Sequence, residues 1–340
     1  MIRTATIQFP RTLVIKGALE LDDLLEGQPP AERFVFDFSG LGRTEPFGML
    51  CAAVKMARFI SAHPDSEISA VNHSHCSYQS HMGFFRALGF DFGKEPGAAQ
   101  GSANYLPITS LSVEEIQNEA AETYVHVGDV VTSHAQRISE VLSQSDRGPV
   151  FETLSFSIRE IIRNVVEHSA SENVFFCAQH WPTRHEVQVA ILDTGIGVRA
   201  ALQRNPYLRI NSDLDALKLC VMPGVSGRAF KGSRQPGYDQ WQNSGYGLYM
   251  SCRLAAQGGD FSIFSGDAGF AVLPDGEHRD ITFPLTGTAV RLVLNTGRIS
   301  ELKSSLSRFA AEGRDMAQRF GGNAPSGASV ASVTIRTRFR

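Results

Sequence analysis

Glu160-Ile-Ile-Arg-Asn164-Val-Val-Glu-His168 is followed by Val187-Gln-Val-Ala-Ile-Leu-Asp193-Thr-Gly195-Ile-Gly197, and these two runs decide how the rest of the chain reads. Glu160, Asn164 and His168 recur at i, i+4 and i+8, so on a helix they share one polar stripe. Ile158, Ile161, Ile162 and Val165 fall on the other side. A carboxylate, an amide and an imidazole in line could hold a hydrated cation, yet the same stripe is also what an ordinary solvated helix face shows. The second run reads as a buried strand that delivers Asp193 into a turn with two glycines. Asp-x-Gly-x-Gly by itself is most often only a turn.

Working outward, Gly148-Pro149 resets the chain and puts proline in the first turn of the helix, which runs to about Ser169. Val174 to Gln179 is a neighbouring strand, joined to Glu186–Leu192 through Trp181-Pro-Thr-Arg. After Gly197 comes a long segment that turns polar and glycine-rich from Pro223 to Gly237, the mark of either a functional lid or a disordered stretch. Asn243-Ser-Gly245-Tyr-Gly247-Leu248 then feeds a helix that Gly258-Gly259 ends. Phe261–Phe264 and Thr288–Leu294 complete a sheet, and Leu302, Leu306 and Phe309 recur at helical spacing between Ile299 and Phe320.

Residues 1–104 read as a separate small α/β unit. Its strands are Thr4–Phe9, Leu13–Ile15, Arg33–Phe38 and Ile68–Val71; its helices are Gly17–Leu25, Pro46–Ile60 and Ser80–Leu88, the last stopped by Gly89. The small, uncharged Pro96–Ala103 is a linker. Residues 105–148 read as a helical connector, opened by a capping box of Ser112 and Glu115, persisting to about Ser143 and interrupted at Gly128. The sheet and helices of 149–298 form the second domain, and 299–340 are a C-terminal helix and basic tail, with seven basic residues against three acidic in the last forty. A solvated surface accounts for that excess as well as an acidic partner does.

The 340 residues suffice for two ordinary cores, and a net charge of -3 gives no global case for nucleic acid or a membrane. Without a run of about eighteen apolar residues or a signal-peptide core, the expectation is a cytoplasmic protein. Five scattered cysteines, with no Cys-x-x-Cys pair, suggest buried free thiols and no disulfide. His73, His75, Cys76 and His81 could suggest a metal site, but their spacing matches no standard zinc pattern, and loop and core residues are the simpler reading.

Two resemblances join these readings. Val35-Phe-Asp37-Phe-Ser-Gly-Leu-Gly-Arg-Thr-Glu45-Pro-Phe-Gly48 resembles the central motif of the STAS family, the fold of bacterial anti-sigma-factor antagonists. At the helix start, where antagonists carry the phosphorylated serine, this chain has Pro46 and Phe47, which speaks against switching by phosphorylation there. From about 110 to 296, the ordered set Glu160-x-x-x-Asn164-x-x-x-His168, Asp193-x-Gly195-x-Gly197 and Gly245-x-Gly247-Leu248 resembles the GHKL (Bergerat-fold) ATP-binding family of gyrase-type ATPases, Hsp90-like chaperones, histidine kinases and MutL-like proteins. The fold expected is therefore an N-terminal STAS-like α/β domain followed by a two-layer α/β sandwich.

That second resemblance implies ATP and Mg²⁺ as ligands. Asn164 would supply an amide oxygen to Mg²⁺, which keeps several waters while bridging phosphates. Glu160 would orient or deprotonate the attacking water, with His168 in a supporting role. Asp193 would accept a hydrogen bond from adenine, Thr288 would join through water, and Gly195 and Gly197 would let backbone approach. Gly245, Gly247 and Leu248 would bring a helix N-terminus to the phosphates, and Arg228, Lys231 and Arg234 lie in the lid.

Three outcomes stay open: hydrolysis, transfer to a protein hydroxyl, or nucleotide-gated binding. The Glu-x-x-x-Asn-x-x-x-His form is most similar to anti-sigma serine kinases, whose substrate is a STAS protein, although Ser39 and Thr44 here only neighbour the expected target position. His126 and His134 lack the Glu/Asp and Pro pattern of a histidine-kinase phosphoacceptor box. A protein partner is expected, and dimerisation, common in that family, makes a homodimer an expectation that the sequence does not place.

Overall fold

The computed structural model describes residues 3–95, 104–230, 245–274, 276–299 and 301–319. The expected linker Pro96–Ala103, the lid residues Lys231 and Arg234 and the basic tail from Phe320 lie outside them. The chain is mixed α/β, with one parallel and one antiparallel sheet.

β1 (Thr4–Gln8), β2 (Arg33–Asp37) and β3 (Glu67–Val71) make the parallel sheet, with β2 central. The crossovers are α1 (Ile15–Glu26) and α2 (Pro46–Ala62). Leu13–Ile15 is not a strand: Leu13 makes a lone bridge to Thr44, and α1 takes over at Ile15. The helix expected over Ser80–Leu88 divides into α3 (Ser77–His81) and α4 (Phe84–Ala87), because Gly83 sits at φ +76° between them. His73, His75 and His81 are taken up by Phe92 stacking, the Leu41 carbonyl and the Tyr105 hydroxyl.

The expected connector opens instead with a strand. β4 (Tyr105–Ser112) pairs antiparallel with β5 (Asn173–Trp181), and Pro107 sits at a register shift on this edge, where a missing N–H does least harm. Ser112 then caps α5 (Val113–Glu122), its Oγ accepting the Glu115 N–H at 3.3 Å. The break before α6 (Val127–Ser143) falls at Tyr124 (φ +54°), while Gly128 lies inside the first turn of α6.

α7 (Pro149–Asn164) runs into a π-helical turn, Val165–Ser169, ended by Ala170 in the left-handed region. β6 (Glu186–Asp193), α8 (Gly197–Leu202), α9 (Asp213–Cys220), α10 (Gly247–Ala255), β7 (Asp260–Val272), β8 (His278–Asn295) and α11 (Leu302–Arg319) follow. The antiparallel order is β4-β5-β6-β8-β7. β7 and β8 extend well beyond the expected Phe261–Phe264 and Thr288–Leu294, as a hairpin with register shifts at Ser265 and Gly266.

Both faces of this sheet are covered. Val187, Val189 and Ile191 of β6 point to the core shared with α7, and Ala190 and Leu192 point the other way. Burial on both sides is why Val187–Leu192 reads as an apolar run. The second face packs on the first unit: the Phe47 ring at the start of α2 lies 4.7 Å from Phe264 and 5.7 Å from Phe283. Polar contacts fix the seat. Gln188 Nε2 donates to Glu45 Oε2 at 3.1 Å, Arg291 pairs with Glu45 at 3.6 Å, and Lys55, paired with Asp22, donates to the Pro284 carbonyl at 3.1 Å. With a neighbour on either side, α2 is apolar around most of its circumference.

All five cysteines are buried free thiols. Among the described residues no helix is long and apolar enough to cross a membrane.

Candidate functional site

A cleft opens on the α7 side of the antiparallel sheet. Its floor is the end of β6 and β8, with Asp193 and Thr288; one wall is α7 and its π-turn, with Glu160, Asn164 and His168; the rim is Gly197 and then Gly245, Gly247 and Leu248 at the start of α10. Of the described residues singled out for the site from the sequence, Arg228 does not line the cleft, and neither does Gly195. It stands just behind, its N–H donating to Asp193 Oδ1 at 2.8 Å.

The two ends of the cleft differ electrically. At the floor, Asp193 is 2 % exposed and faces Thr288 across the β6–β8 ladder. Burial pushes its carboxyl up to about 6, against the hydrogen bonds from Gly195 and Thr288 that favour the charged form. The carboxylate accepts from Gly195 and Thr288, and its remaining lone pairs suit a ligand N–H donor. At the other end, burial and then the charges of Arg228, Arg163 and Arg204 pull His168 down to about 3, so the imidazole is neutral in a cationic field. Of these arginines only Arg163 lines the cleft, where it pairs with Glu167, while Arg204 and Arg228 are exposed.

Between the ends lie Asn164 and Glu160. The Asn164 amide makes no hydrogen bond among the described residues and stays available to a ligand. Glu160 is 4 % exposed, and its Oε1 accepts from Nε and Nη2 of Arg159 at 3.1 and 2.8 Å. Its Oε2 lies over Gly247, where a Cβ has no room. Gly247 is thus required first by contact between α10 and α7. Gly197 and Gly245 adopt φ +77° and +71°, conformations that favour glycine.

No family model matches the chain, and no curated protein or solved structure matches it.

Sequence reasoning missed Arg159 and Arg163. Both are at most 5 % exposed, and Arg163 pairs with Glu167 at 2.5 Å. On a helical wheel they flank the polar stripe and read as solvated charges. The available signal was density: four ionisable residues, Arg159, Glu160, Arg163 and Glu167, within nine positions exceed what one solvated edge of an otherwise apolar helix requires. Free space in the cleft is about 110 Å³, below the roughly 300–1,000 Å³ of ligand pockets in general, so a sizeable ligand must part its walls.

Proposed function

We propose that this chain binds Mg-ATP in the cleft, in the manner of GHKL proteins, hydrolyses it slowly and uses the bound state to change its contacts with another protein. The observation that supports this reading best is the convergence on one cleft of buried Asp193, facing Thr288 across the β6–β8 ladder, with the Asn164 amide and the start of α10. The donor set fits Mg²⁺ only as a shared ion. No group of three His, Cys, Asp or Glu among the described residues could hold a metal, whereas the unengaged Asn164 amide can serve as one oxygen ligand beside phosphates and water. Mg²⁺, when bound, supplies neutralisation of phosphate charge.

Glu160 is the residue for proton removal. It takes a proton from water as the water oxygen bonds to the γ-phosphorus; the bond to the bridging oxygen breaks, and ADP leaves with that electron pair.

Transfer to a protein hydroxyl is the second reading. The start of α2 is docked on the opposite face of the sheet from the cleft, Thr44 is 8 % exposed and accepts from Gln79, and Ser39 is exposed. Of the two hydroxyls near the expected position, Ser39 is the accessible one, and a second copy would have to reach it. Incubation with γ-labelled ATP and Mg²⁺ separates the outcomes as free phosphate, labelled protein or neither. Glu160→Ala should abolish turnover and spare binding. If Asp193→Asn binds ATP as the wild type does, the cleft is not the site.

A further inference from the structure

α11 packs behind the cleft, on α7, on the start of α10 and on Pro223. Leu302, Leu306, Phe309 and Ala310 form a buried cluster with Phe156 of α7 and with Tyr246, Tyr249 and Met250 at the start of α10. Gly313 packs against the rings of Tyr246 and Tyr249 and against Pro223, two residues before Val225 of the cleft lining. An ion pair between Arg253 and Glu312 at 2.5 Å pins the helix from outside. Under this cluster, the Arg159 guanidinium lies 5.1 Å from the Phe156 ring while its fork holds Glu160 Oε1.

The seat is not fully satisfied. Among the described residues the buried hydroxyls of Tyr246 and Tyr249 have no hydrogen-bond partner, which is a free-energy cost of the docked arrangement. We infer that α11 is an autoinhibitory strap: docked, it keeps Arg159 on Glu160, so that the carboxylate is occupied and turnover is slow. Arg159 is the positioning residue of this device. A carboxylate whose one oxygen is forked by a buried guanidinium and whose other lies against Gly247 has no oxygen free to take a proton from water. Release of α11 loosens Phe156, frees Arg159 to turn away, and lets Glu160 face the cleft.

This inference rests on the nucleotide reading, and the test separates the two. The full chain is compared with Phe309→Asp, which undocks α11, with Arg159→Lys, which removes the fork but keeps the charge, and with the double variant. Each is measured for affinity to a non-hydrolysable ATP analogue and for kcat of phosphate release. The expected result is a kcat raised about tenfold in either single variant, analogue affinity within about twofold of wild type, and no further gain in the double. A loss of packing alone lowers activity and does not reproduce that split. If either variant binds the analogue but hydrolyses ATP no faster than wild type, the strap is wrong. Should Phe309→Asp fail to fold, Arg159→Lys decides alone. Wild-type protein that does not bind the analogue removes the nucleotide reading, and the strap with it.

Discussion

Asp193 carries the sharpest single-residue consequence. Its folded carboxyl titrates near 6, above its ordinary value of 3.8, so between those values the folded chain holds a proton that the unfolded chain has released. Its contribution to stability is full below about 4 and is lost as pH rises through about 6. At pH 7.5, Asp193→Asn should therefore melt no lower than wild type, with at most about 3 kcal/mol to regain, while nucleotide binding disappears. In the wild type, a hydrogen-bond donor on the ligand needs the ionised form, so affinity should fall as pH drops from 7.5 to 5.5; a flat titration would remove Asp193 from the site. His168 has the opposite slope. Its folded value is depressed to about 3, so stability present above 6.5 is lost as pH falls. At this scale, polar residues at a strand end or a glycine turn were legible. Arg159 was not, since spacing alone cannot tell a solvated charge from one with a buried partner.

Among the elements, α2 joins the two halves. Phe47 is 1 % exposed between Phe264 and Phe283, and its truncation to alanine should cost about 3–5 kcal/mol in urea unfolding of the full chain. A loss below 1 kcal/mol would mean the contact is loose. Gly247→Ala places a methyl group on Glu160 Oε2 and should lower kcat with little change in nucleotide affinity, read by phosphate release and analogue titration. Helix α2, helix α7 and strand β6 were all readable from proline placement and apolar period. β4 was not, because eight residues carrying Pro107 between a linker and a capping box give too weak an alternation. The division of α3 from α4 hung on a single glycine whose positive φ no pattern announces.

At the level of the whole molecule, the first unit and the antiparallel sheet share a core. Phe34, Phe36, Phe38 and Phe47 belong to the same buried cluster as Leu192, Phe264, Phe283 and Leu285. Residues 105–340 expressed alone should expose that face and bind a hydrophobic dye that the full chain excludes; a soluble, dye-silent fragment would show the docking to be dispensable. The sequence marks α2 and β6 as apolar runs but does not state which face meets which, since matching two apolar surfaces is a property of shape. One consequence concerns time. The chain is made from the N-terminus, and the surface that covers Phe47 includes Phe283, almost two hundred residues after the first unit ends. At about 5–20 residues per second, the first unit leaves the ribosome roughly 10–40 s before its cover exists. During that interval its helix is an aggregation hazard, and yield in the cell should depend on chaperones or on translation speed more than the final stability would suggest.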